Sequence, residues 1–372
     1  RAPGAWPLPT EERAGIAHYA IRRDGTLALA GFHATRDHVS WVLRSPTSAL
    51  LYATGGDASS GWLQAFRPSA DGALEAVGDA VDTLGKAAHL EISKDGAFCL
   101  TASYGAGTVA VFPVQADGSV GAATDSRKHA MTQRNAALTD RQEACHLHQI
   151  RLDPTNQWAV ACDLGADAVY VYGLDAAAGG LLTGGHAPPT DPRSPHQLLR
   201  LAEGSGPRHM DWHPSAPYAY VLCELDGKLL TCEWDAAPGT LAPTHAAYTL
   251  PDGVPPSRTH HCGGAHVLAS PCGTRVYVST RQPNALVVFA VEHDAGGAPT
   301  PRLRKLQTVD SMGVCPRNFV LDAADGAAPR VLRVGNQDSQ TVASFPIDPD
   351  SGTLGEPVLT ATEGVCPGVL SL

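Results

Sequence analysis

Two families of polar side chains recur along this chain of 372 residues in places where they could act together. One family opens a series of apolar segments: His89, His146, His148, Arg208, His209, His266, Arg317 and Asn318. The other closes the apolar segment that follows each: Tyr104, Asp163, Glu224, Arg281, Asn336 and Gln337. Imidazole is the side chain whose ordinary pKa suits proton transfer near neutral pH. A carboxylate can orient an imidazole, or serve as a base itself when burial raises its pKa. Guanidinium forks hold a carboxylate, a phosphate or the oxyanion that develops at a carbonyl. Together these types describe acid/base chemistry on a small anionic or polarised substrate. His146, His209, Asn318 and Gln337 are candidate substrate binders, with His266 and Arg317 beside them.

The elements that must position these groups are legible in one stretch, Glu143 to Tyr172. CHLHQIRL alternates, so His146, His148, Ile150 and Leu152 share one face of an extended segment. An Asp153-Pro154 turn, the strand WAVACDL, a second turn and the Val- and Tyr-rich AVYVYGL complete a meander. The unit recurs at intervals of roughly 45 to 60 residues, the spacing of propeller blades. Inner strands are expected at HVSWVLRS from His38, AAHLEIS, CHLHQIRL, GPRHMDW, GAHVLAS, CPRNFVLD and CPGVLSL, which makes seven. The seventh unit lacks its outer strands, and GIAHYAIRRDGTLALAG at the other end of the chain can supply them. The expectation is an all-β, seven-bladed propeller of four-stranded antiparallel blades, one domain over residues 1–372, closed by terminal strands that share the last blade. Helix is expected at most for a turn or two over Arg134 to Glu143. In such a ring, the start of each inner strand and the end of the second open on the same face, so both polar families meet at one mouth of the central channel.

Composition narrows the partners. The chain is 43% hydrophobic and 17% charged with a net charge of -10, and no Lys/Arg cluster or basic stripe suggests nucleic acid or an anionic membrane. No apolar run approaches the roughly 20 residues of a membrane span. The opening RAPGAWPLPTEERAG has no apolar signal core and reads as a trimmed terminus. Nine cysteines, singly placed in strand-like segments and without a C-x-x-C pair, read as buried reduced thiols of a cytoplasmic protein.

HLHQIRLDP with DLGADAVYVY, GSGPRHMDWHPSAPYAYVLCEL, SPCGTRVYVSTRQ, and CPRNFVLDAADG with VGNQD resemble the seven-bladed propeller lactonase family. That family includes bacterial 6-phosphogluconolactonase and fungal carboxy-cis,cis-muconate cyclase. The resemblance covers most of the chain from about Gly85 onward. It implies lactone chemistry in carbohydrate metabolism without cofactor or catalytic metal. In the family's muconate cyclase branch a His, an Arg, a Glu and a second Arg form the proposed site, and the resemblance carries these to His148 in HLHQI, Arg208 in GPRHM, Glu224 in LCELD and Arg281 in STRQ as the catalytic set. Some positions depart from the family: GAWPLPTEE at the N-terminus, His266 in place of an acidic residue, and STRQ in place of SNRG. Two or three arginines in a chain this acidic also argue against a phosphorylated substrate.

Other chemistries are weighed against this. HLH puts two imidazoles on one strand, and His209, His260, His261 and His266 could join them around zinc, which needs about three such ligands. No G-x-S-x-G nucleophile motif and no phosphate loop is present. Singly, His38, His89 and His266 read as hydrogen-bonded core residues, Arg317 as a tie between blades, and Asp163 and Asp167 as turn formers. The reading is a metal-independent hydrolase opening a sugar-acid or related lactone, with His148 and Glu224 in acid/base roles and Arg208 and Arg281 as anion clamps; a lactonising muconate cycloisomerase comes next and a non-catalytic binding propeller third. The partner is a small lactone or carboxylate, and the oligomeric state, monomer or dimer, is left open.

Overall fold

The computed structural model describes residues 14–57, 60–69, 72–131, 141–184, 194–250, 263–322, 327–362 and 364–371. Six antiparallel meanders run through it. Each begins with an inner strand: Val39–Arg44, Ala87–Ile92, Leu147–Leu152, Pro207–Trp212, Gly264–Ala269 and Pro316–Asp322. Each inner strand pairs with the next strand in sequence, that strand with a third, and the third with an outer strand. In the third sheet the outer position is divided, with Leu181–Thr183 and Gln197–Arg200 pairing different parts of Ala168–Asp175. Successive inner strands pack side by side, so the sheets fan around one axis. This is an all-β propeller of four-stranded antiparallel blades, without helix among the described residues.

Burial follows the stacking. Sheets one and two enclose Tyr52, Leu63, Leu90, Ala110 and Phe112. Sheets two and three enclose Leu100, Val111, Leu147, Ile150 and Tyr172. Three comparable clusters fill the gaps from sheet three to sheet six. At about 1.5–3 kcal/mol per fully buried large apolar side chain, these separate cores, rather than one centre, hold the ring.

The seventh blade departs from expectation. Gly15–Ile21 pairs only with Leu27–Ala34, and residues 364–371 form no strand. Both segments nevertheless occupy the gap between sheets six and one. Tyr19 Oη donates to the Thr362 carbonyl, and Leu27 N–H donates to Thr360 Oγ1. Val369 packs against the cluster shared by sheets one and two. The reason for the missing ladder lies in CPGVLSL itself. Pro367 has no N–H to give, Gly368 N–H turns back to the Cys366 carbonyl, and Leu370 N–H is held by Asn318 Oδ1. Of the helix expected at Arg134 to Glu143, residues 141–143 are irregular, and 132–140 lie outside the described residues, as does the N-terminal stretch 1–13.

The inner strands share one irregularity. In all six, one extra residue is inserted opposite the second strand: Ser40, Ala88, His148, Arg208, Ala265 and Arg317. A bulge of this kind interrupts alternation and re-aims a side chain. The shared face expected for His146, His148, Ile150 and Leu152 is therefore corrected, because Leu147 joins Ile150 and Leu152 in the core and His148 is turned out of that row.

Candidate active site

Three of the six bulged residues are His148, Arg208 and Arg317, and they meet at the mouth that the inner strands open. Glu224 follows the second strand of sheet four, and its carboxylate is the centre of the cluster. Oε2 lies 2.9 Å from Arg208 Nε and 2.6 Å from an Arg281 terminal nitrogen. Oε1 is taken by Arg141, whose side chain also hydrogen-bonds Tyr104. Gly263 makes the approach of sheet five possible: at φ +83° it has no Cβ to collide with the Glu224 carbonyl oxygen. Burial opposes ionisation of Glu224, but Arg281, Arg141 and Arg208 outweigh it and bring its pKa down to about 2. Glu224 is thus held as an anion that orients guanidiniums, the opposite direction to the raised pKa that an acid/base role for it would use.

Arg208 is 1% exposed. Its Nη1 donates to the Ala265 carbonyl and, at 3.2 Å, to His209 Nε2. Burial and the nearby Arg281 lower its pKa, partly offset by Glu224. Arg317 donates to Gln337 Oε1 at 3.2 Å and is lowered by burial and by Arg281. Three guanidiniums on one carboxylate, with Arg317 nearby, leave a positive excess. The expectation of two or three arginines is corrected, because Arg141 comes from the loop before sheet three, where no strand start marked it.

His148 is buried among these cations. Burial, then Arg208, Arg317 and Arg281, hold it well below the usual imidazole pKa, so it is neutral. Its Nδ1 has no hydrogen-bond partner among the described residues. Its ring meets the edge of Tyr104 at 5.6 Å and of His209 at 5.0 Å.

The other candidates take different positions. His146 stacks on Tyr104 at 4.2 Å, with Nδ1 against the Tyr104 carbonyl and Nε2 2.8 Å from Glu143 Oε1. His209 and His266 lie one residue deeper in the channel, joined through their Nδ1 atoms at 2.7 Å. Asn318 holds Leu370 and so anchors the C-terminal segment. Gln337 bridges Arg317 and Asp338. Asp163 and Asp167 accept backbone N–H groups at turns; Asp167 binds Gly204 and Gly206 and ties sheet three to sheet four. Sequence reasoning missed Arg141 and Glu143, whose only signal was the polar run Arg141-Gln142-Glu143 before CHLH. Among the described residues no three His, Cys, Asp or Glu side chains are grouped to hold a metal; His260 and His261 lie outside them.

Residues 8–366 match the family described as lactonase, 7-bladed beta-propeller. A 6-phosphogluconolactonase of Bacillus subtilis (strain 168) is 30% identical over 268 residues, 72% of this chain and 67% of its own length. A 6-phosphogluconolactonase of Pectobacterium carotovorum is 30% identical over 73% of this chain and 70% of its own. Among solved structures, a periplasmic gluconolactonase of Pseudomonas aeruginosa superposes with a TM-score of 0.79 at 25% identity, covering 94% of each chain. On this match and these relatives, the chain belongs to the seven-bladed β-propeller lactonase family.

Proposed function

We propose that this protein hydrolyses an anionic sugar-acid lactone of the 6-phosphogluconolactone type, at the channel mouth where His148, Arg208, Glu224 and Arg281 meet. The observation that carries this reading is that three guanidiniums contact the Glu224 carboxylate with Arg317 nearby, a charge excess that a neutral substrate would leave uncompensated. The names of the relatives support the reaction class.

In this reading the guanidiniums bind the substrate anion and face the oxygen that becomes negative when water adds to the lactone carbonyl. His148 takes the proton from that water and returns it to the ring oxygen as the C–O bond breaks, giving the open hydroxy acid. The substrate's own charge assists: bound beside Arg208, Arg317 and Arg281, it offsets the cations that hold the His148 pKa down, and so strengthens the base. Glu224 keeps Arg208 and Arg281 in place. No cofactor takes part in this scheme, and no step is assigned to a metal. The finer architecture belongs to the same reading, with the N-terminal hairpin and residues 364–371 as outer and inner parts of a seventh blade in a single domain.

The test is turnover of 6-phosphogluconolactone, unphosphorylated gluconolactone and a carboxylated muconate by purified protein. Hydrolysis of the phosphorylated lactone with the highest kcat/KM supports the proposal. Cyclisation of the muconate without lactone hydrolysis replaces it with the cycloisomerase, and no turnover of any of the three removes the enzymatic reading.

A further inference from the structure

Trp41, His89, Gln149, His209, His266 and Asn318 each follow the bulged residue of their inner strand, and two of these imidazoles form a defined chain with Arg208. Arg208 Nη1 approaches His209 Nε2 at 3.2 Å, and His209 Nδ1 approaches His266 Nδ1 at 2.7 Å. A guanidinium can only donate, so His209 Nε2 must carry a lone pair and the ring proton must sit on Nδ1. That proton is then given to His266 Nδ1, which places the proton of His266 on its Nε2. Both rings are buried, at 1% and 3% exposure, and burial with the neighbouring Arg208 keeps both neutral. The two contacts together therefore admit one protonation pattern.

Arg208 has two hydrogens on Nη1, one for the Ala265 carbonyl and one for His209, while Nε faces Glu224. These contacts fix the plane of the fork. We propose that His209 is a positioning residue for Arg208, and that His266 is the residue that locks His209 in the accepting tautomer. The proposal rests on the lactonase reading and replaces the expected substrate contact of these two histidines with an action through Arg208. An apolar residue of similar size would fill the channel and would not accept from Arg208, so packing and positioning make different predictions.

The experiment is a cycle of variants assayed on 6-phosphogluconolactone, with thermal unfolding to check folding. His209→Phe is expected to lower kcat/KM by about 30-fold or more. His209→Gln, whose amide oxygen can accept, should stay within about fivefold, and in an Arg208→Lys background His209→Phe should change kcat/KM by less than about threefold. Equal losses for Phe and Gln, or a Phe loss that persists undiminished beside Arg208→Lys, overturn the proposal. If His209→Phe does not fold, His266→Phe is carried through the same cycle with the same deciding outcomes. Nitrogen-15 spectra of the histidine-labelled native protein give an answer independent of turnover. A proton on His209 Nδ1 with coupling to His266 Nδ1 is expected, and a proton on His209 Nε2 overturns the chain even if the lactone is hydrolysed. Absence of turnover with the expected spectra instead faults the lactonase reading.

Discussion

Arg208 Nε stands 2.9 Å from Glu224 Oε2, both side chains 1% exposed, and the same oxygen also faces Arg281. A carboxylate so placed cannot be replaced by a neutral group without leaving guanidiniums buried and uncompensated. Glu224→Gln should destabilise the fold by about 3–5 kcal/mol, the usual cost of removing one partner of a buried pair, and abolish turnover. The pKa of Glu224 falls on folding from the ordinary carboxyl range to about 2. Its contribution to stability is therefore present above pH about 4.5 and lost as pH falls toward 2. Denaturant melts of both proteins over that window check this: the wild type should lose stability more steeply than Glu224→Gln.

For His148, the free protein and the substrate complex should differ. The guanidiniums that depress its pKa are free in one and neutralised by substrate in the other. The acid limb of kcat/KM, which reports the free protein, should lie well below pH 6.5, and the acid limb of kcat should lie higher. His148→Gln should lower kcat by roughly 10²–10⁴-fold. Coincident limbs, or a Gln variant with full activity, would remove His148 from the proton-transfer role.

Arg141 tests the anion argument. It adds a cation from a loop, without a strand to impose its position, and binds Glu224 and Tyr104. Arg141→Gln should lower kcat/KM for the phosphorylated lactone by roughly 10- to 100-fold, the value of one charge-assisted hydrogen bond, and affect the unphosphorylated lactone less. Equal losses on both substrates would make Arg141 a support for Glu224 alone.

At the other end of the channel, Arg151 lies between Glu91 and Asp211, 3.2 Å from each, beside a cavity of about 250 Å³. Burial raises the pKa of Glu91 to about 7, against the opposing pull of Arg151. The sign is opposite to that of Glu224: the protonated form favours the fold, so this stability is full below pH about 4.5 and is lost as pH rises toward 7. Glu91→Gln should flatten the fall in stability between pH 5 and 8, worth on the order of a few kcal/mol, in thermal melts.

Six inner strands, their partners and the polar rim were legible because period-two apolar runs and turn residues are local properties of the chain. The bulges were also written there, as apolar spacings of three and then two: Ala87, Leu90, Ile92; Leu147, Ile150, Leu152; Pro316, Phe319, Leu321. Reading CHLHQIRL as simple alternation hid that His148 is the inserted residue.

The sequence by itself determined the repeated meander, the family and the residue types available for chemistry, since these depend on neighbours a few positions apart. Only the tertiary structure decided that Arg141 joins Arg208 and Arg281 on Glu224, that His209 turns to Arg208 and His266, and that residues 366–371 cross the last gap without a ladder. Those outcomes depend on groups tens to hundreds of residues apart, whose charges and hydrogen bonds compete in one buried place. Which partner each takes is set by that competition, and local pattern carries no record of it.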